Sequence, residues 1–334
     1  MKDTDYKGIN TLIRTYELRL LKTDEIERML KASDLKAALD VLKGTDYDFD
    51  EEEILHTKNF NDILMRHLED VYQELFSIAP DPELIELFTL QYSYHNLKVF
   101  LKQYFLEQNL EELLIPIGRL SLDTLKNLVD IGESDEADPI MVEAVQQAKN
   151  DYSESGLIET VTVFMDTYYF RHLRSIANKL NYEAITKIVD TKIDLYNLSS
   201  LVRSLDQKKP RSHLHTMLSS SGTIPKQEII DESVNGSVTV LKKLYAGKSY
   251  GNLLETVIEE NNTINTLKLD MLVDTITHDI VSEGIYQPFG PLALLGYIYA
   301  KETEVTNLRL LLVGKDNGIS EEELRKRVRH IYGS

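Results

Sequence analysis

Residues 84–104 read LIELFTLQYSYHNLKVFLKQY, and their apolar positions recur at three- and four-residue steps. Leu84, Leu87, Phe88, Tyr94, Leu97, Leu101 and Tyr104 fall on one stripe, the spacing of a helix with a buried face. Just upstream, Asp81-Pro82-Glu83 reads as a helix start. Aspartate can cap, proline suits the first turn, and glutamate complements the positive end of the helix dipole. Two further stripes have the same period: Phe60, Ile63, Leu64, Leu68, Val71, Tyr72 and Leu75, and then Leu157, Val161, Phe164, Met165, Tyr168, Tyr169, Leu173 and Ile176. No long segment alternates with the two-residue period of a strand. Eight prolines and fifteen glycines in 334 residues are too few for a turn-rich β protein. The expected fold class is all-α.

The centre of that first stripe recurs. The frame Asn-Leu-x-x followed by two apolar residues stands at Asn96-Leu97 with Phe100-Leu101, Asn197-Leu198 with Leu201-Val202, and Asn307-Leu308 with Leu311-Leu312. Upstream of each, a lysine-containing stretch ends in a tyrosine: Tyr47, Tyr152 and Tyr250, which lie 49, 45 and 57 residues before the matching asparagine. Farther upstream a short helix opens, with Ile26, Leu125 and Ile229 as its first anchors. Three landmarks in one order, three times, imply an internal repeat. The divisions are 1–106, 107–205, and 206–334, the last holding a connection, the third repeat and a terminal half-repeat. Asn10 and Arg14 copy the tail of a repeat, and Ile319–Leu324 resembles the start of another, with Ser320 and Glu323 at capping-box spacing. The array is therefore expected to close head to tail. The asparagines are expected to be structural, tying neighbouring helices together through their amides.

Two segments read as irregular. Residues 131–139 (IGESDEADP) are acidic and bounded by glycine and proline, and residues 206–225 (DQKKPRSHLHTMLSSSGTIP) are polar and locally basic.

The formal net charge of −18 argues against a general nucleic-acid binder and against adhesion to anionic lipid headgroups, both of which need basic faces. The chain has no cysteine, which removes disulfides, thiolate zinc sites and cysteine nucleophiles together. Met1–Asp5 lacks the apolar core of a signal peptide. The longest nearly apolar stretch, Pro288–Ala300, is short of the roughly 20 residues a spanning helix needs. No direct membrane insertion is expected.

Catalytic and ligand motifs fail individually. Gly247-Lys248-Ser249 resembles the end of a phosphate-binding loop, but position 242, where that loop needs glycine, is lysine, and Val238–Lys243 reads as helix. Glu53 and His56 form one E-x-x-H, where a di-iron bundle needs two and further carboxylates. His213 and His215 read as an exposed pair rather than a zinc site. No catalytic residue, metal, cofactor or small-molecule substrate is therefore expected.

The opening Tyr6-Lys7-Gly8-Ile9-Asn10-Thr11-Leu12-Ile13-Arg14, the following Leu20-Leu21, the three Asn-Leu helices and the terminal half-repeat together resemble the C subunit of bacterial and archaeal V/A-type rotary ATPases, known as the d subunit in vacuolar enzymes. The second copy departs from that pattern in lacking a proline before its asparagine helix. The resemblance implies three pseudo-symmetric helical repeats forming a compact funnel-shaped body. It also implies a non-catalytic rotor subunit on the cytoplasmic face of the membrane proteolipid ring, receiving the central axle made of the D and F subunits and serving ATP-driven transport of H+ or Na+. Part of the acidic surplus is expected to line the socket or the ring-facing surface. A helical-repeat scaffold binding peptides or proteins along an open groove is the alternative.

Overall fold

The computed structural model describes residues 3–287 and 289–331. Its α-helices are α1 (Lys7–Glu17), α2 (Thr23–Lys31), α3 (Leu35–Val41), α4 (Glu51–Thr57), α5 (Phe60–Ile78), α6 (Pro82–Leu106), α7 (Leu122–Ile131), α8 (Pro139–Ser155), α9 (Ile158–Leu180), α10 (Glu183–Asp206), α11 (Arg211–Met217), α12 (Lys226–Glu232), α13 (Ser237–Val240), α14 (Thr266–Ser282), α15 (Leu292–Asp316) and α16 (Glu321–Arg325). Among the described residues the only β pairing is one isolated bridge between Ile258 and Ile264.

The helices form two compact units. One joins the two ends of the sequence, Met1–Ile85 with Thr277–Ser334, and the other is the continuous stretch Glu86–Ile276. In the first unit α15 packs against α1, α3 and α5, and α16 packs against α2. In the second, α8 lies along α9, α9 along α10, and α10 against α11.

Apolar spacing sets which faces are buried. Phe60, Leu64, Leu68, Tyr72 and Leu75 of α5 are buried, as are Val161, Met165, Tyr169, Leu173 and Ile176 of α9. On α6, Leu84, Leu87, Tyr94, Leu97 and Leu101 of the stripe are buried and Phe88 is half-buried, but Tyr104 at its end is exposed, with the Lys149 ammonium 4.1 Å from its ring centre. The apolar stretch expected over 288–300 belongs, from Leu292 onward, to α15, whose first turns are buried on all sides. That is why the stretch lacks an amphipathic period. Pro288, and Met1 and Lys2 of the N-terminal stretch, lie outside the described residues. No helix is long and apolar enough to cross a membrane, among the described residues.

The 131–139 segment is non-helical from Gly132, which closes α7 in the left-handed region at φ 87°, to Asp138, which caps α8 by accepting from the Ile140 N–H at 2.8 Å. The 206–225 segment is more ordered than its composition implies. It carries α11, whose Leu214 is buried, and a return segment that α10 holds in place. One buried leucine in seven residues leaves no readable stripe, so the helix escapes a periodicity test.

The short helices share a solution for their exposed C-terminal carbonyls. The Lys315 ammonium donates to Leu30 O (2.6 Å) and Ala32 O (2.7 Å) at the end of α2. Lys149 donates to Val129 O (2.5 Å) at the end of α7, and the Arg211 guanidinium to Ile230 O (2.7 Å) at the end of α12. Each cation meets orphaned carbonyls at the negative end of a helix dipole. The first anchors of these helices, Ile26, Leu125 and Ile229, are all buried.

Candidate functional site

The three Asn-Leu positions share one geometry. Asn96 Nδ2 donates to Ile115 O at 2.6 Å, while Asn96 Oδ1 accepts from the Ile115 N–H at 2.9 Å. Asn197 holds Ser219 in the same way, at 2.9 and 2.8 Å. Asn307 holds Arg329 at 3.0 and 2.9 Å. Each side-chain amide clamps both backbone groups of one residue, 19, 22 and 22 positions downstream. The adjacent Leu97, Leu198 and Leu308 are buried beside the clamps.

The bonds run to non-helical return segments rather than to neighbouring helices. Helix interiors have no free N–H and C=O on a single residue, whereas an extended segment offers both. An asparagine amide, with one donor edge and one acceptor edge, matches that pair as a strand would.

Two of the clamps sit one turn beyond a buried carboxylate. Asp194 accepts from the Thr223 N–H (2.7 Å), from the Thr223 hydroxyl, and from the Tyr250 hydroxyl at 3.0 Å. Glu304 accepts from the Leu21 N–H, from the Tyr47 hydroxyl at 2.8 Å, and from the Lys301 ammonium at 3.0 Å. Burial pushes the Glu304 carboxyl above the usual carboxylate range, against the opposing pull of Lys301. Burial, reinforced by the neighbouring carboxylates, likewise pushes the Tyr47 and Tyr250 hydroxyls up, so both phenols stay protonated and donate. Lys301 is itself 1% exposed, 5.0 Å from the Tyr47 ring centre and 3.6 Å from Asp46 Oδ2.

Tyr152 differs. It is half-buried and stacks on Phe105 of α6, ring centres 3.9 Å apart, and the residue one turn before Asn96 is Ser93. Thus Tyr152 meets the Asn96 helix, Tyr250 the Asn197 helix, and Tyr47 the Asn307 helix. Each tyrosine contacts the asparagine helix that precedes it in the order of landmarks, with the first tyrosine contacting the last helix. Asn10 and Arg14 also reach across the sequence ends: Asn10 Nδ2 donates to Gly290 O at 3.0 Å, and Arg14 Nη2 to Gly284 O at 2.6 Å.

Asp194 and Glu304 escaped the sequence reading, although the signal was present as an acid three residues before Asn-Leu in two copies of three. Gly222 belongs to the same cluster. A Cβ there would lie 2.7 Å from Asp194 Oδ1 and 3.2 Å from Asn197 Nδ2.

One rejected motif borders this cluster. Leu241–Tyr245, ahead of Gly247-Lys248-Ser249, is a π-helical turn continuing α13, and the Lys248 ammonium donates to the Thr223 hydroxyl at 2.6 Å. Glu53 and His56 are exposed on α4, and His213 and His215 lie on α11. Among the described residues no three His, Asp or Glu side chains converge as metal ligands would.

These features describe packed helices held by repeated polar clamps. Residues 9–327 match the model of the ATP synthase (C/AC39) subunit family, and the chain belongs to that family. It is 31% identical to the C subunit of the V-type sodium ATPase of Enterococcus hirae, over 98% of this chain and 99% of that protein. It is 22% identical to the C subunit of the A-type ATP synthase of Methanocaldococcus jannaschii, over 96% of this chain and 85% of that one.

Proposed function

We propose that this chain is a non-catalytic central-stalk subunit of a V-type rotary ATPase, coupling the central axle of the D and F subunits to the membrane proteolipid ring during ATP-driven transport of H+ or Na+. The observation that carries this reading is the match to the ion-pump subunit of Enterococcus hirae across nearly the full length of both chains. On this reading the chain sits on the cytoplasmic face of the membrane as a peripheral subunit, and binds no nucleic acid and no small-molecule substrate.

Three pseudo-symmetric repeats with bounds 1–106, 107–205 and 206–334, arranged as a compact funnel, complete the proposal. The repeated clamp at Asn96, Asn197 and Asn307 supports it, as does the cyclic order in which Tyr152, Tyr250 and Tyr47 meet the asparagine helices. Torque transfer needs a body that does not deform under load. Close-packed helices resist deformation, and clamps between each long helix and its return segment oppose shear.

The test is co-purification of the full chain with the ring and with the D and F subunits from membranes that assemble the complex. Retention on both, with ATP-driven ion pumping lost when this chain is withheld, is the expected result. A folded chain that binds neither the ring nor the axle would overturn the proposal.

A further inference from the structure

From Gln207 to Gln227 the sequence contains no aspartate or glutamate, in a chain that carries 55 of them in 334 residues. The same stretch bears Lys208, Lys209, Arg211, His213, His215 and Lys226. It is fixed in place. Leu214 and Leu218 are buried, Asn197 clamps Ser219, Arg211 donates to Ile230 O, and the Lys226 ammonium donates to His215 O at 3.0 Å. Arg211 also pairs with Asp231, at 3.1 Å.

Lys208 and Lys209 have no such occupation. Both are exposed, and neither ammonium reaches a carboxylate among the described residues. Their backbone is set by the end of α10: the Lys208 N–H donates to Leu205 O (3.0 Å), and the Lys209 N–H to Ser204 O (2.9 Å). Lys208 occupies the left-handed region at φ 53°, a position that glycine takes with least strain. The chain keeps a cation there and holds it on a defined turn.

We propose that Lys208, Lys209 and the exposed face of α11 form a docking surface for a carboxylate-rich segment of a protein partner. Resting on the rotor reading above, that partner is another subunit of the assembly. Charge complementarity selects the occupant. At physiological salt, fields decay over about 8 Å, so a narrow acidic loop or helix end senses the local cations and little of the remaining charge. A broad anionic bilayer would face a larger part of a body with a net charge of −18. An acidic segment also gains speed and register from such a patch, and its binding weakens as salt is raised.

The experiment compares the full wild-type chain with the double variant Lys208→Glu/Lys209→Glu, and with Lys7→Glu/Lys22→Glu as an exposed control of equal charge change. Binding is measured to membranes carrying the ATPase stripped of this chain, to the purified D–F axle, and to protein-free vesicles rich in anionic lipid, from roughly 0.05 to 0.5 M salt, an interval over which screening becomes strong. The expected result is at least a roughly tenfold loss of affinity for the stripped complex or the axle at low salt. That loss shrinks toward the high-salt end, while the control changes less than about twofold and all three chains melt at the same temperature. Equal binding by the lysine variant, with wild type binding normally, overturns the docking surface and leaves the rotor reading intact. A loss confined to the vesicles overturns the choice of a protein partner. Failure of wild type to bind any subunit overturns both readings. Should the glutamates disturb the turn, Lys208→Gly/Lys209→Gln keeps its geometry without the charges and is expected to show a smaller loss with the same salt dependence.

Discussion

The Tyr47 hydroxyl donates to Glu304 Oε2 at 2.8 Å across 257 positions of sequence, joining the first segment of the chain to its last long helix. The Tyr250 hydroxyl makes the corresponding bond to Asp194 at 3.0 Å, in the other compact unit. Tyr47→Phe and Tyr250→Phe each remove one donor from a buried carboxylate without changing ring packing. Each is expected to destabilise the chain by about 1–3 kcal/mol, the range for a buried charged acceptor that loses a partner. Urea unfolding monitored by circular dichroism measures it. Tyr152→Phe should cost less, because Tyr152 is held by a ring stack.

The three asparagine clamps give a chemical test that ordinary truncation does not. Asn197→Ala leaves one buried N–H and one buried C=O without the amide, at about 2–4 kcal/mol when roughly 1–2 is assigned to each group, and Asn96→Ala and Asn307→Ala, whose bonds are part-buried, should cost less. Asn→Asp keeps the acceptor edge but sets a carboxylate against a carbonyl oxygen. It is therefore expected to be at least as damaging near neutral pH and partly rescued in acid, where a protonated carboxyl can donate again. Equal stability of an Asp variant at both pH values would refute the clamp.

Gly222 and Gly247 form a matched pair. A Cβ at Gly222 meets Asp194 and Asn197 at sub-contact distances, whereas a Cβ at Gly247 meets nothing within 4 Å. Gly222→Ala should destabilise by about 1–3 kcal/mol, the usual cost of overpacking. Gly247→Ala should be neutral or stabilise by up to about 1 kcal/mol, through the lower entropy of the unfolded chain. Thermal melts of the two variants decide it.

His172 sets one component of acid sensitivity. It is buried at 2% exposure, its Nδ1 is 3.3 Å from the Tyr94 hydroxyl, and its Nε2 is 3.7 Å from Asp138 Oδ2. Burial pulls its pKa below the ordinary 6.5, with Asp138 opposing. Below 6.5 the unfolded chain therefore binds the proton more readily than the folded one. The stability is fully present above 6.5 and is lost as pH falls toward the folded value. His67, lowered by burial and by Lys301, adds to the same slope. His172→Gln should flatten the fall in unfolding free energy between about pH 6.5 and 5; an unchanged slope would remove His172 from the account.

The helices were legible because their apolar stripes are long. Phe60, Leu64, Leu68, Tyr72 and Leu75, and Val161, Met165, Tyr169, Leu173 and Ile176, are buried as their spacing selects, whereas Ile63, Val71, Phe164 and Tyr168 at the stripe edges are half-buried and Leu157, ahead of α9, is exposed. The Asn-Leu landmarks were legible as a recurrence, but their partners were not, since Ile115, Ser219 and Arg329 have nothing in common as side chains. A clamp on backbone leaves no signature in the residue it holds. Lys301 was equally hidden: a lysine in a helix reads as solvated, and only the approach of Glu304 and Asp46 explains its burial. The α11 helix was missed for a different reason, because it is stabilised by Leu214, Arg211 and the Ser219 clamp rather than by a periodic face.

The joining of Met1–Ile85 with Thr277–Ser334 also fixes an order of events during synthesis. The helices of Met1–Ile85 cannot complete their packing until α15 has been made, whereas Glu86–Ile276 is one continuous stretch. The middle of the chain can mature first while the N-terminal helices wait with their apolar faces uncovered, which makes that interval the one in which a chaperone would matter most.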